Sequence, residues 1–281
     1  TAGFSSTVYR SRISPCSLGK HAAKNFILSP EPDVATFFTF TMLSLRAAAL
    51  SDIGRVRREN EDRYLLDEAA LLFGVADGVG GLPGGAEAAQ LAIEEISGAL
   101  HAAPKDRDPD LVRVVQHANS VVAALGQKIS PAMGIGTTLT IGRVQESTLK
   151  IAHVGDSRAY GARKREFSRL TEDHSVENEA RLRRARGEVV YYHEANRNAL
   201  TRCIGQPTPP EVDIITRPLV AGDRYIFCTD GVTRMVPDAE LAALLAKAEE
   251  PKDALEDIIS LAVRRGGPDN ATGVVFFVDT V

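Results

Sequence analysis

Two apolar runs in this chain each deliver an aspartate, followed by glycine, at their carboxyl end. ALLFGVAD closes on Asp77-Gly78 inside FGVADGVGG, and YIFCTDG closes on Asp230-Gly231. A continuous apolar run of this length, ending in polar residues, fits a strand covered on both faces, so the fold needs a layer above it and a layer below. A single Asp-Gly pair after a strand is an ordinary turn signal. Two such pairs leave two readings open: two turns, or two halves of one metal site.

The surrounding pattern supplies the layers. From residue 46 the chain reads as one continuous domain, without Gly/Ser linker, low-complexity tract or fixed-period repeat. LRAAALSD and DRYLLDE are strand candidates. GGAEAAQLAIEEISGAL and PDLVRVVQHANSVVAALGQKI carry apolar residues at helical spacing. GTTLTIGRV, STLKIAHVGD, RAYGARK and EFSRLT read as a β-meander. EVDIITRPL and DRYIFCTDG return to strand, DAELAALLAKA and PKDALEDIISLAVRRG are two more helices, and NATGVVFFVDT closes the chain. Helices grouped in pairs around largely antiparallel strands predict an α+β layered sandwich. Residues 174–204 break the pattern, being polar, basic in the middle and then rich in Tyr and Asn. Such a long excursion between strands is often a lid or binding loop.

Composition removes some function classes. The net charge of −4 argues against a dedicated nucleic-acid binder. The three cysteines form no CxxC pair or zinc-spaced cluster and read as buried or incidental thiols. No apolar run is long enough to span a bilayer. The nearest, VATFFTFTML at 34–43, is flanked by SPEPD and Arg46, a poor fit to a secretory signal. Met42 stands just before the first organised stretch. Residues 1–43 are therefore expected to be an N-terminal extension to the domain, disordered or not native; on the latter reading the natural chain starts at Met42 and residues 1–41 lie upstream of it.

Six acidic residues stand out: Glu61, Asp62, Asp77, Asp156, Asp230 and Asp269. Four of the aspartates lie beside glycine or proline at the edge of an apolar run, in VADG, HVGDS, CTDG and GGPDN. A strand end is a stiff mount for a ligand, and a small neighbour lets backbone approach an ion. Carboxylates and carbonyls without thiolate or paired imidazole favour hard cations such as Mg²⁺ or Mn²⁺. Each motif alone is turn or loop chemistry; their co-occurrence beside successive strands is harder to ascribe to turns.

The ordered motifs SDIGRVRRENED, VADGVGG, GIGTTLT, HVGDSRAY, DRYIFCTDGVT and RRGGPDNAT resemble those of the metal-dependent (PPM) protein phosphatases, the protein phosphatase 2C-like family of bacterial type. The resemblance runs from about Leu45 to Val278. It implies an αββα sandwich: two antiparallel sheets flanked by pairs of helices, here over residues 44–281, with a flap at about 171–204. It implies hydrolysis of phosphoserine and phosphothreonine in proteins by a metal-activated water, with no covalent enzyme intermediate. The implied cofactors are Mn²⁺ or Mg²⁺, two principal ions and a third, weaker one. By the same resemblance, Asp77 bridges both principal ions and the Gly78 carbonyl binds one. Asp230 and Asp269 complete the other, Glu61 holds metal-bound water with Asp62 beside it, and Asp156 serves the third ion. Arg57 takes the place of a phosphate-binding arginine, while Arg55 and Arg58 read as solvated. The expected partners are phosphoproteins and a cognate Ser/Thr kinase, with no nucleic acid and no membrane, for a cytoplasmic monomer.

This assignment suits the chemistry. A phosphate monoester dianion repels hydroxide and hydrolyses extremely slowly unaided. Paired divalent ions supply an activated water and neutralise phosphoryl charge, while an arginine grips two phosphate oxygens at once. Two positions depart from the pattern. Val79 stands where some eukaryotic members carry a histidine proposed as general acid, and Leu82 stands where many bacterial members carry a histidine. Neither change removes a ligand, but the leaving-group acid is left unassigned. By the same resemblance, Asn198 stands where some relatives place a further third-site contact. His153, on an apolar run, reads as a satisfied core histidine, and RLRRAR at 181–186 as a solvated helix face.

Overall fold

The computed structural model describes residues 43–103 and 108–281. The extension expected over residues 1–43 lies outside them, apart from Leu43. In chain order the elements are β1 (Ser44–Asp52), β2 (Asp62–Asp67), β3 (Leu72–Asp77), α1 (Gly85–Ala102), α2 (Leu111–Ile129), β4 (Leu139–Gln145), β5 (Thr148–Val154), β6 (Arg158–Arg163), β7 (Glu166–Arg169) and α3 (Val176–Ala185). A single 3₁₀ turn (Glu194–Asn196) precedes β8 (Asp213–Pro218), β9 (Arg224–Cys228), the one-turn α4 (Asp230–Thr233), α5 (Asp238–Lys247), α6 (Pro251–Arg264) and β10 (Ala271–Thr280).

The strands form two five-stranded sheets, ordered β1-β10-β9-β6-β7 and β2-β3-β4-β5-β8, and every pairing is antiparallel. The sequence explains the layering. β3 buries five successive residues, Leu72 to Ala76, and β10 buries eight, Ala271 to Val278, so both are covered on two faces. The interlayer stacks Phe73 on Phe276 at 4.4 Å between ring centroids, and Tyr225 on Phe276 at 4.9 Å. Outside one sheet, α1 presents Ala88, Ala89, Ala92, Ile93, Ile96 and Leu100 at helical spacing to a core shared with Leu139 and Ile141. Outside the other, α6 contributes Leu255, Ile258 and Ile259 to a core with Ile226 and Val275. The α+β sandwich expected from the order of elements is the fold observed.

Local signals set the helix ends. The Asp110 side chain caps α2 by accepting from the backbone N–H groups of Val112 and Arg113. Pro251 opens α6 where no intrahelical donor is needed. One expectation is corrected. The segment read as a single meander is two hairpins in different sheets, β4-β5 in one and β6-β7 in the other. The chain changes sheets between Val154 and Arg158, which places Asp156 at the crossing. Hydrophobic alternation fixes faces within a strand but does not report which sheet a strand joins.

Candidate metal centre

The carboxylates converge at one end of the sandwich, where both sheets deliver strand ends. Asp62 begins β2 and Asp77 ends β3, directly opposite each other in the antiparallel register. From the other sheet, Asp230 follows β9 and opens α4, while Asp269 precedes β10. A cavity of about 540 Å³ is lined by Asp77, Asp156, Asp230 and Asp269 together with Arg57 and Arg234. Asn198, from the excursion after β7, lies on the same wall.

Backbone and hydroxyl contacts fix these groups. The Asp77 N–H donates to Thr138 Oγ1 (3.0 Å), and the Asp77 carbonyl accepts from Thr138 N (2.8 Å) and Thr137 Oγ1 (2.9 Å). Thr229 Oγ1 donates to Asp62 Oδ2 at 2.8 Å. Asn270 Oδ1 accepts from the Glu61 N–H (2.9 Å), tying the Glu61 loop to the start of β10. Close approach explains both glycines of the Asp-Gly pairs. A Cβ on Gly78 would lie 2.5 Å from the Gly85 carbonyl oxygen, and one on Gly231 only 1.9 Å from that of Asn270.

Electrostatics mark the cluster as under-neutralised. Burial, followed by its acidic neighbours, raises the Asp77 carboxyl well above its usual range. Burial likewise lifts Asp62 and Asp156 to about 7 and Asp230 to about 6. Asp62 Oδ1 and Asp230 Oδ1 are buried with no hydrogen-bond partner. Two arginines supply part of the missing positive charge. Arg57 Nη2 donates to Asp269 Oδ2 at 2.9 Å, with Nη1 3.8 Å from Glu61 Oε2. Arg234 pairs with Asp230 and lies 3.5 Å from Asp269.

The donor set fits a hard divalent cation: it consists of oxygen atoms, one of them, Asp230 Oδ1, orphaned and buried, around a cavity with room for water. Among the described residues, no three Asp, Glu, His or Cys side chains are placed to hold an ion by themselves. That is compatible with a cation bound through one or two carboxylates, a backbone carbonyl and retained waters.

Sequence reading singled out Arg57, Glu61, Asp77, Gly78, Asp156, Asp230 and Asp269; all but Glu61 line one cavity, and Glu61 stands behind Arg57, 3.8 Å from its Nη1. Sequence reading did not find Arg234, whose signal was its i,i+4 spacing from Asp230 on a helix start. Nor did it find Thr138, Thr229 or Asn270, which act through hydrogen bonds across 40 residues or more and leave no local signature. His153 is fully buried, with Nε2 donating to the Glu172 carbonyl (2.9 Å) and Nδ1 2.8 Å from Thr140 Oγ1. In 181–186, Arg181 pairs with Glu172 and Arg183 with Glu188 on an exposed face of α3.

Comparison with known proteins is consistent with this geometry. The family model described as Protein phosphatase 2C matches residues 55–271. The Ser/Thr protein phosphatase PstP of Mycobacterium tuberculosis is 34% identical over 238 residues, 83% of this chain and 45% of that protein. The Ser/Thr phosphatase Stp of Listeria innocua is 31% identical over 240 residues, 81% of this chain and 94% of that protein. The chain thus spans less than half of PstP and nearly all of Stp. The crystal structure of the PstP catalytic domain in complex with two manganese ions superposes with a TM-score of 0.72 at 33% identity, covering 85% of this chain and all of that one. Family match, sequence identity and shared architecture agree over the segment that carries the carboxylates, and the chain belongs to the protein phosphatase 2C family.

Proposed function

We propose that residues 44–281 form a metal-dependent protein serine/threonine phosphatase, with a flap at about 171–204. The observation that carries this reading is the convergence of Asp62, Asp77, Asp156, Asp230 and Asp269, from separate chain segments, at one end of the sandwich beside Arg57. Asp77, the Gly78 carbonyl, Asp230 and Asp269 would hold two Mn²⁺ or Mg²⁺ ions, with Glu61 fixing bound water and Asp156 serving a third ion. When bound, the two principal ions supply an activated water and offset charge on the phosphoryl group.

The chain's own groups do the rest. Arg57 is half-exposed at the cavity edge, where its planar fork can take two phosphate oxygens and orient the group for in-line attack. Thr138 is committed to the Asp77 N–H and lies 2.7 Å from Ser157 Oγ, so its hydroxyl is held in a structural role. Burial pushes the Cys203 thiol up, which keeps it protonated and poorly nucleophilic. The cavity thus offers no activated side-chain nucleophile among these groups, which supports direct attack by water without a covalent enzyme intermediate.

The substrates would be phosphoproteins made by a cognate Ser/Thr kinase. No helix among the described residues is long and apolar enough to cross a membrane, and a cytoplasmic monomer is part of the same proposal. The test is phosphate release from a phosphothreonine peptide with Mn²⁺ and then with EDTA. Activity that depends on Mn²⁺ and falls by orders of magnitude in Asp77→Asn is expected. Metal-saturated protein with no turnover overturns the reading.

A further inference from the structure

A second cavity, of about 610 Å³, adjoins the metal centre and shares two wall residues with it, Leu82 and Cys203. Its lining differs in kind. Four Asp and two Arg side chains line the carboxylate cavity, whereas no charged residue lines the second, whose wall is mostly apolar, with Ala124, Met133 and Ile135, and polar only at Gln127 and Gln206 among its longer side chains. Met133 is 63% exposed and nearby Ile129 39%, large apolar side chains left open to solvent. We propose that this groove seats the polypeptide flanking the phosphorylated residue and selects substrates with an apolar side chain within about three residues of it. The inference rests on the phosphatase reading above and adds a substrate class to it.

Two observations point to this occupant. The first is continuity. A peptide whose phosphate enters the metal centre must leave past the rim, and Leu82 and Cys203 form the wall common to both cavities. Each further residue of an extended chain reaches about 3.3–3.6 Å, so the groove is met within a few residues. The second is rigidity. The wall that runs on from Cys203 to Pro207 is pinned by buried Asn119, whose Oδ1 accepts from Gly205 N (2.8 Å) and Gln206 N (3.0 Å) while Nδ2 donates to the Gln206 carbonyl (3.0 Å). Thr137 and Ile204 exchange backbone hydrogen bonds at 3.1 and 2.8 Å, and Val79 N donates to the Gly136 carbonyl at 2.9 Å. The groove is therefore built on the same loops as the metal centre, and a preformed apolar site binds without an ordering cost. Leu82, where bacterial relatives of this type were expected to carry histidine, is the apolar residue that joins the two cavities.

The test pairs binding with turnover. Fluorescence anisotropy of labelled phosphothreonine peptides, differing only in Leu, Asp or Lys near the phosphothreonine, reads the groove directly, with or without catalysis. Leu peptides are expected to bind roughly tenfold tighter than Asp or Lys peptides, the scale of burying one apolar side chain. Met133→Asp and Ala124→Glu are expected to abolish that preference while leaving p-nitrophenyl phosphate turnover unchanged. Equal binding of all three peptides, or a preference that survives both variants, overturns the proposal. Self-association of the wild-type protein that either variant abolishes assigns the groove to a second copy and also overturns it. Loss of p-nitrophenyl phosphate turnover in the wild-type protein would instead overturn the phosphatase reading, since the anisotropy result does not depend on it.

Discussion

Arg234 engages one carboxylate oxygen of each of two residues proposed above as metal ligands. It pairs with Asp230 and lies 3.5 Å from Asp269 Oδ2, and its side chain is 39% exposed against 14% and 17% for the two aspartates. Loading the proposed site through Asp230 Oδ2 or Asp269 Oδ2 therefore works against the guanidinium, while Asp230 Oδ1 is left open. Partly exposed ion pairs of this kind contribute about 0.5–1 kcal/mol each, so two of them oppose binding by about 1–2 kcal/mol. At 1.4 kcal/mol per tenfold change, Arg234→Ala is expected to tighten Mn²⁺ binding by roughly tenfold. Removing a unit positive charge from beside the incoming cation acts in the same direction. Isothermal titration of metal-stripped protein with Mn²⁺, at fixed pH and salt, measures the effect. Arg265→Ala, which breaks a pair with Glu240 on α5, serves as the control. Raising the salt is expected to narrow the difference between wild type and Arg234→Ala. Unchanged or weaker binding in Arg234→Ala, with the control unaffected, would refute the reasoning. Arg234→Lys keeps the charge but not the fork, and is expected to fall between the two.

Two further outcomes follow from packing and burial. Gly231→Ala forces the first turn of α4 away from the Asn270 carbonyl and is expected to cost about 2–3 kcal/mol. It should also weaken Mn²⁺ binding through Asp230; an alanine variant with wild-type melting and affinity would show that the turn yields freely. Burial, and then His174, depress His153 to about 4 from an ordinary 6.5. The unfolded chain therefore takes up the proton first as pH falls below about 6.5. Stability is full above that pH and declines until about pH 4, by about 2 kcal/mol between pH 8 and pH 5. Urea unfolding of His153→Gln is expected to lack this component; the same decline in both proteins would sink the argument.

Much of the molecule was legible before its coordinates. β3 announced itself as a strand buried on two faces, β10 only as a closing strand, and the paired helices implied the outer layers. The site was legible because a strand end writes its ligand into a local motif, as Asp77 and Asp230 show. Partnership across the fold was not. Asp62 stands opposite Asp77 because of strand register, and Asn270 holds Glu61 by reaching across more than two hundred residues. The split of the meander also escaped, because alternating burial looks alike in either sheet. Arg234 was missed although its i,i+4 spacing from Asp230 is written in the sequence, and its contact with Asp269 depends on how α4 meets the start of β10.

The distribution of the carboxylates between the sheets has a mechanical consequence. Asp62 and Asp77 belong to one layer, Asp230 and Asp269 to the other, so ionising them together would set like charges across the seam. Without a cation this end of the sandwich keeps its layers together by holding protons, because burial raises Asp77, Asp62 and Asp230, while the Phe73–Phe276 stack clamps the layers further in. A cation shared between Asp77 and Asp230 would act as a rivet through both layers, adding stability that grows with the logarithm of its concentration. Chelation would then loosen the seam as well as silence the site, and amide exchange at the rim ends of β3 and β9 would register the loosening first.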